Sequence, residues 1–130
     1  MTTIPGFTRD RIALPDITLS VQQAGKGDAL ILLHGFPENG LCWAQIAPAF
    51  TDRFHVIIPD LRGYGQSDAP PDDATHDAYS KRQMAADIVA LMDRLGLPSA
   101  HILGHDRGAR VAYRLALDHP ARVARLGIIE

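Results

Sequence analysis

At 130 residues the chain has the length of one small domain; 46% of its residues are hydrophobic, 22% are charged, and the net charge is −2. That balance is globular, and arginines scattered among acids, with no basic block, argue against a nucleic-acid partner. The single cysteine, Cys42, excludes an internal disulfide framework and fits a reducing compartment. No apolar run reaches the roughly 20 residues of a membrane-spanning helix, and "MTTIPGFTRD" shows no secretory signal pattern. A soluble, cytoplasmic protein is the expectation.

The first elements read as a β-hairpin, Arg11–Leu14 then Ile17–Gln23, broken at Pro15-Asp16. "ALILLHG" is a continuous apolar run ending in glycine, which suits a strand buried on both faces. "ENGLCWAQIAPAFTDRF" reads as a short amphipathic helix with Trp43, Ile46 and Phe50 on one side, limited by Pro48. "FHVIIPD" is a second buried strand, and "LRGYGQSDAPPDDATHDAYS" is loop, rich in glycine, proline and acids. The clearest helix is "SKRQMAADIVALMDRLG". Met84, Ile88, Leu91, Met92 and Leu95 make one stripe, Ser80 is its N-cap and Gly96 its stop. "SAHILGH" is a strand, "RGARVAYRLALDHP" a helix closed by Pro120, and "VARLGII" a last buried strand. This order predicts an α/β fold: a mainly parallel sheet of about six strands with helices on both faces. Ligands of such sheets bind at the carboxyl ends of the strands. "HGFP", "PDLRGYGQS" and "GHDRG" all fall at such ends.

Asp106 is the candidate for chemistry. It lies between a strand and a helix, in the frame Gly104-His105-Asp106-Arg107-Gly108. The glycines permit a sharp turn, and the helix start and Arg107 favour an anion there. A carboxylate held this way stays ionised. It can attack a saturated carbon bearing a leaving group and form an ester. An isolated aspartate at such a junction reads as a helix N-cap; the G-x-D-x-G frame with "HGFP" upstream favours the nucleophile. His34, Pro37 and Trp43 read as structural. A nucleotide site is disfavoured, since "GHDRGAR" is not G-x-G-x-x-G and puts a carboxylate where phosphates would sit.

Taken together, "HGFPENGLCW", "IIPDLRGYGQSDAP", "YSKRQMAADIVALMDRLG" and "GHDRGARVAYRLALDHP" resemble the α/β-hydrolase fold in its aspartate-nucleophile branch, over roughly residues 29–130. That branch holds haloalkane dehalogenases, haloacetate (fluoroacetate) dehalogenases and epoxide hydrolases. Arginine after the nucleophile and again three residues on, where the other two groups carry tryptophan after the nucleophile, is similar to the haloacetate dehalogenases. The resemblance implies that Arg107 and Arg110 hold a substrate carboxylate. Two residues three apart on a helix share a face, and guanidinium matches carboxylate. It implies that the amides of Phe36 and Arg107 form an oxyanion hole, with the Phe36 ring walling the pocket. It implies no cofactor and no metal. The substrate would be a haloacid, converted to a 2-hydroxy acid and halide.

Turnover also needs a base and an acid to orient it. By the resemblance the acid falls on Glu130. No histidine suits the base: His119 would lie some 18 Å along the helix, and His105 belongs to the strand, where neighbours point oppositely. Residues 1–130 are therefore expected to be the N-terminal portion of a single α/β-hydrolase domain, ending before the cap and the catalytic histidine. Two alternatives stand beside haloacid cleavage. One is epoxide hydrolysis by the same Asp106. The other is a non-catalytic fragment that acts through association, as a homo-oligomer for instance.

Overall fold

A computed structural model of the chain describes residues 3–72 and 74–130. The domain start expected at Met1 and Thr2, and the loop expected at Asp73, lie outside the described residues. Among the described residues six strands form one sheet: β1 (Thr8–Ala13), β2 (Thr18–Ala24), β3 (Asp28–Leu33), β4 (Phe54–Pro59), β5 (Ala100–His105) and β6 (Val123–Ile129). Their order across the sheet is β1-β2-β4-β3-β5-β6. β1, β2 and β4 pair antiparallel, while β4, β3, β5 and β6 run parallel. The hairpin turn closes by an N–H of Leu14 donating to the carbonyl of Ile17 at 2.8 Å, and β1 starts three residues before the expected Arg11.

Side chains alternate across the sheet and build a core on each face. On one face Ile31, Leu33, Ile57 and Ile102 pack under helices α1 (Lys81–Arg94) and α2 (Arg107–Asp118). On the other, Leu30, Leu32, Val56 and Ile58 meet Trp43, Ala47, Ile4 and Phe7. Burying each large side chain fully contributes about 1.5–3 kcal/mol, so these two layers are what hold the strand ends in register.

The helix expected over residues 38–54 is not an α-helix. Two 3-10 turns, Gly40–Trp43 and Ala47–Phe50, take its place. Pro48 has no N–H for an α-helical bond to residue 44, and its ring would collide with that carbonyl. The chain restarts around the proline instead, Trp43 and Ala47 turn into the core, and Ile46 is left exposed.

α1 matches its expected stripe: Met84, Ile88, Leu91 and Met92 are buried. The Ser80 hydroxyl accepts the N–H of Gln83 at 3.0 Å, and the helix ends where Leu97 N–H donates to the Met92 carbonyl at 2.8 Å across Gly96, φ +73°. α1 also anchors the long loop before it. Arg62 donates two hydrogen bonds to Asp87 on α1, at 2.8 and 2.9 Å, with both side chains under 8% exposed. Among the described residues no helix is long and apolar enough to cross a membrane.

Candidate functional site at the carboxyl ends of the strands

Register brings the site together. Leu33 at the end of β3 pairs with Gly104 on β5, so His34-Gly35-Phe36 lies beside His105-Asp106. The N–H of Asp106 donates to the carbonyl of Ile129 at 3.1 Å, which draws in the end of β6 and with it Glu130. Close packing fixes the turn. A Cβ on Gly104 would overlap the carbonyl oxygen of Gly108, and one on Gly108 would overlap the carbonyl oxygens of Leu33 and His34. A Cβ on Gly35 would stand 2.6 Å from the Asp106 Cβ. Only at this separation can the loop after β3 reach Asp106.

Asp106 sits at the head of α2 with φ 55° and ψ −116°, a conformation that residues with a side chain rarely adopt. Its side chain makes no capping bond to α2. Instead Oδ2 accepts the backbone N–H of Phe36 at 3.0 Å. The Phe36 amide, then the Arg107 amide, hold the carboxyl below the usual aspartate range, helped by the positive fields of His105 and Arg110. The carboxylate is solvent-exposed and ionised at neutral pH.

The loop after β3 is itself held. Leu61 N–H donates to His34 Nε2 at 2.9 Å, so the His34 proton sits on Nδ1, facing the Gly35 carbonyl at 2.9 Å. Burial pushes this imidazole below the usual histidine range, and it serves as a neutral strut, as expected. Glu38 was not anticipated. Its Oε1 accepts the N–H of Gly35 at 3.1 Å and faces His105 Nδ1 at 3.2 Å, joining the loop to the end of β5. Glu38→Ala is expected to speed hydrogen exchange at Gly35 about tenfold, the equivalent of one lost hydrogen bond of about 1.4 kcal/mol. Glu38→Gln keeps the acceptor and should leave that rate near wild type.

Arg107 and Arg110 occupy different surroundings. The Arg107 guanidinium stacks on the Phe36 ring at 4.7 Å and donates to the Tyr64 hydroxyl at 2.7 Å. Tyr64 stands edge-on to His34 and Phe36, at 5.2 and 6.3 Å between ring centres. Its loop is fixed by Asp60, which is buried and accepts the N–H groups of Gly40 at 2.7 Å and Gln66 at 3.0 Å and pairs with Arg9 at 3.2 Å. Arg110 is exposed and lines a cleft of about 660 Å³ together with Asp106, Lys81, Tyr113, Arg114 and Glu130. That volume suits a small ligand. Arg114 is committed to Asp118 by two bonds of 2.9 Å.

The structure thus brings Asp106, Phe36, Arg107, Arg110 and Glu130 to one end of the sheet. Sequence reasoning missed Glu38, Tyr64 and Lys81. Each lies in a stretch already singled out, and their partners come from elsewhere in the chain. Three further histidines have partners elsewhere: His55 pairs with Gln23, His76 with Asp72 and His101 with Asp28. Among the described residues no cluster of three His, Cys, Asp or Glu side chains could hold a metal ion.

The sequence model of the family described as alpha/beta hydrolase fold matches residues 28–129. A fluoroacetate dehalogenase of Burkholderia sp is 44% identical over 125 residues, 96% of this chain and 41% of that protein. A soluble epoxide hydrolase of Corynebacterium sp. (strain C12) is 40% identical over 82% of this chain and 36% of that protein. The crystal structure of a candidate acyltransferase from Salmonella enterica superposes with a TM-score of 0.97 at 48% identity, covering all of this chain and 44% of the other. The chain therefore spans less than half the length of these relatives. With its sheet order, its strained turn at Asp106 and these matches, the chain belongs to the alpha/beta hydrolase fold family.

Proposed function

We propose that residues 1–130 form the N-terminal portion of a single hydrolase domain that cleaves the carbon–halogen bond of a small 2-haloacid. The observation that carries this reading is the setting of Asp106: an exposed, ionised carboxylate on a strained turn, opening on a cleft with Arg110, beside Arg107. A carboxylate nucleophile repels an anionic substrate, so cations close by are what this chemistry needs. The Asp106 oxygen not held by Phe36 attacks the α-carbon. The new C–O bond forms as the C–halogen bond breaks, and halide departs with the bonding pair. The ester carbonyl oxygen stays against the Phe36 amide, where charge builds when water later attacks the carbonyl. Glu130 lines the same cleft and would orient the base that activates that water. The Burkholderia relative, a fluoroacetate dehalogenase, supports the substrate class.

Epoxide opening by the same Asp106 is the second reading, favoured by the Corynebacterium relative. Treatment with chloroacetate or a neutral epoxide, then proteolysis and mass spectrometry, separates the two. The expected result is a carboxymethyl ester on the peptide containing Asp106, absent from Asp106→Asn. Labelling by the epoxide alone favours the second reading, and equal chloroacetate labelling of Asp106→Asn overturns the nucleophile.

A further inference from the structure

Lys81 stands where local electrostatics oppose a positive charge. It is the first residue of α1, at the positive end of the helix dipole, and the first turn of that helix carries no acid. It lines the cleft with Asp106 and Arg110. Partial burial, then Arg107, then Arg110, hold its ammonium below the usual lysine range. Among the described residues no ion pair holds it, whereas Arg62, Arg114 and Arg122 each have a partner acid. A side chain kept against three unfavourable fields is expected where a ligand supplies the missing charge.

Among the residues that line the cleft, Lys81, Arg110 and Arg114 carry cationic side chains, and Asp106 and Glu130 carry carboxylates. Arg114 is taken up by Asp118. Arg107 is meanwhile occupied by Tyr64 and the Phe36 face, which leaves Arg110 and Lys81 as the cations with free donors in the cleft.

We infer that Lys81 is a substrate-binding residue, which joins Arg110 in gripping the carboxylate of a small monoanionic acid. This rests on the anionic-substrate reading above and adds to it a residue on a different helix. Acetate serves as an unreactive probe and acetamide as its neutral counterpart, with affinity read by NMR titration of the intact protein. Lys81→Met is expected to weaken acetate about fivefold to tenfold, the scale of one partly screened charge pair. Lys81→Arg should stay within about twofold of wild type, and acetamide should be indifferent to all variants. Stability gives a second readout with the opposite sign. Lys81→Met removes repulsion from the folded state and should raise Tm at pH 7. A lysine that only packs its stem would lower Tm when replaced by a neutral residue of this kind in no better fit, and would leave acetate untouched. The two failures are distinct. If Arg110→Met weakens acetate and Lys81→Met does not, this inference falls and the anionic-substrate reading stands. If acetate fails to bind, or binds alike in both variants and wild type, the anionic-substrate reading falls as well.

Discussion

Alanine at Gly108 is expected to destabilise the protein by about 3–5 kcal/mol, although helix propensity alone would make it stabilising. Gly108 is the second residue of α2 and has no positive φ to require glycine. In an unhindered helix, alanine would gain about 1 kcal/mol over glycine. Here its Cβ would overlap the carbonyl oxygens of Leu33 and His34 and lie 2.6 Å from the Leu33 carbonyl carbon. These are backbone atoms of the last residue of the strand that pairs with β5 and of the residue that follows it. They cannot retreat without breaking the Leu33–Gly104 register, so the clash is met by lifting α2 from the sheet. Overpacking commonly costs 1–3 kcal/mol where side chains can adjust, and rigid backbone places this site above that range. Against a domain stability of about 5–15 kcal/mol the change is large. Gly96→Ala is the control. It has φ +73° and open space around it, so it should lose only about 1 kcal/mol from backbone conformation. Urea unfolding of both variants checks the order. Equal losses, or a gain at Gly108, would sink the account of α2 seated directly on β3.

That contrast explains how far the site was legible in the chain itself. The frame around Asp106 is local: two glycines and an aspartate at a strand–helix junction specify a sharp turn, and the structure has one. α1 was equally legible, because its apolar period and its cap at Ser80 are contained in one segment. The helix expected over residues 38–54 failed for a local reason too, since the weight given to Trp43, Ile46 and Phe50 outran the interruption at Pro48. Other features were set by distant partners. β4 lies between β2 and β3, and nothing in its residues orders them. Arg107 and Arg110 looked equivalent at i and i+3, yet Tyr64, forty-three positions away, claims one and leaves the other in the cleft. Glu38 reads as a loop acid until His105 is found opposite. Lys81 reads as an ordinary solvated helix start. Its significance comes from what the fold puts near it: two arginines and the cleft that Asp106 lines.

Asp106 itself should show a loss of chemistry joined to a gain in backbone ease. Asp106→Asn and Asp106→Gly both remove the carboxylate proposed as nucleophile, and ester formation with chloroacetate should fall by at least about 10³–10⁴-fold in each. The two should differ in stability. At φ 55° and ψ −116° asparagine inherits the strain of the turn, whereas glycine reaches that region freely. Asp106→Gly is therefore expected to have the higher Tm. The pH dependence has a definite sign. The hydrogen bond from the Phe36 amide, and then the nearby Arg107 amide, depress the folded-state pKa. The carboxylate thus contributes stability above the unfolded value of about 3.9, and loses it as pH falls through the lower folded value. The rate of ester formation in the wild type should follow the same group, flat through neutral pH and falling only below about pH 3.9. An acid limb centred near pH 6 would show that a histidine, and not Asp106, sets the rate. An Asp106→Gly protein no more stable than Asp106→Asn would show that the strain of the turn is worth no more than the Phe36 hydrogen bond that glycine gives up.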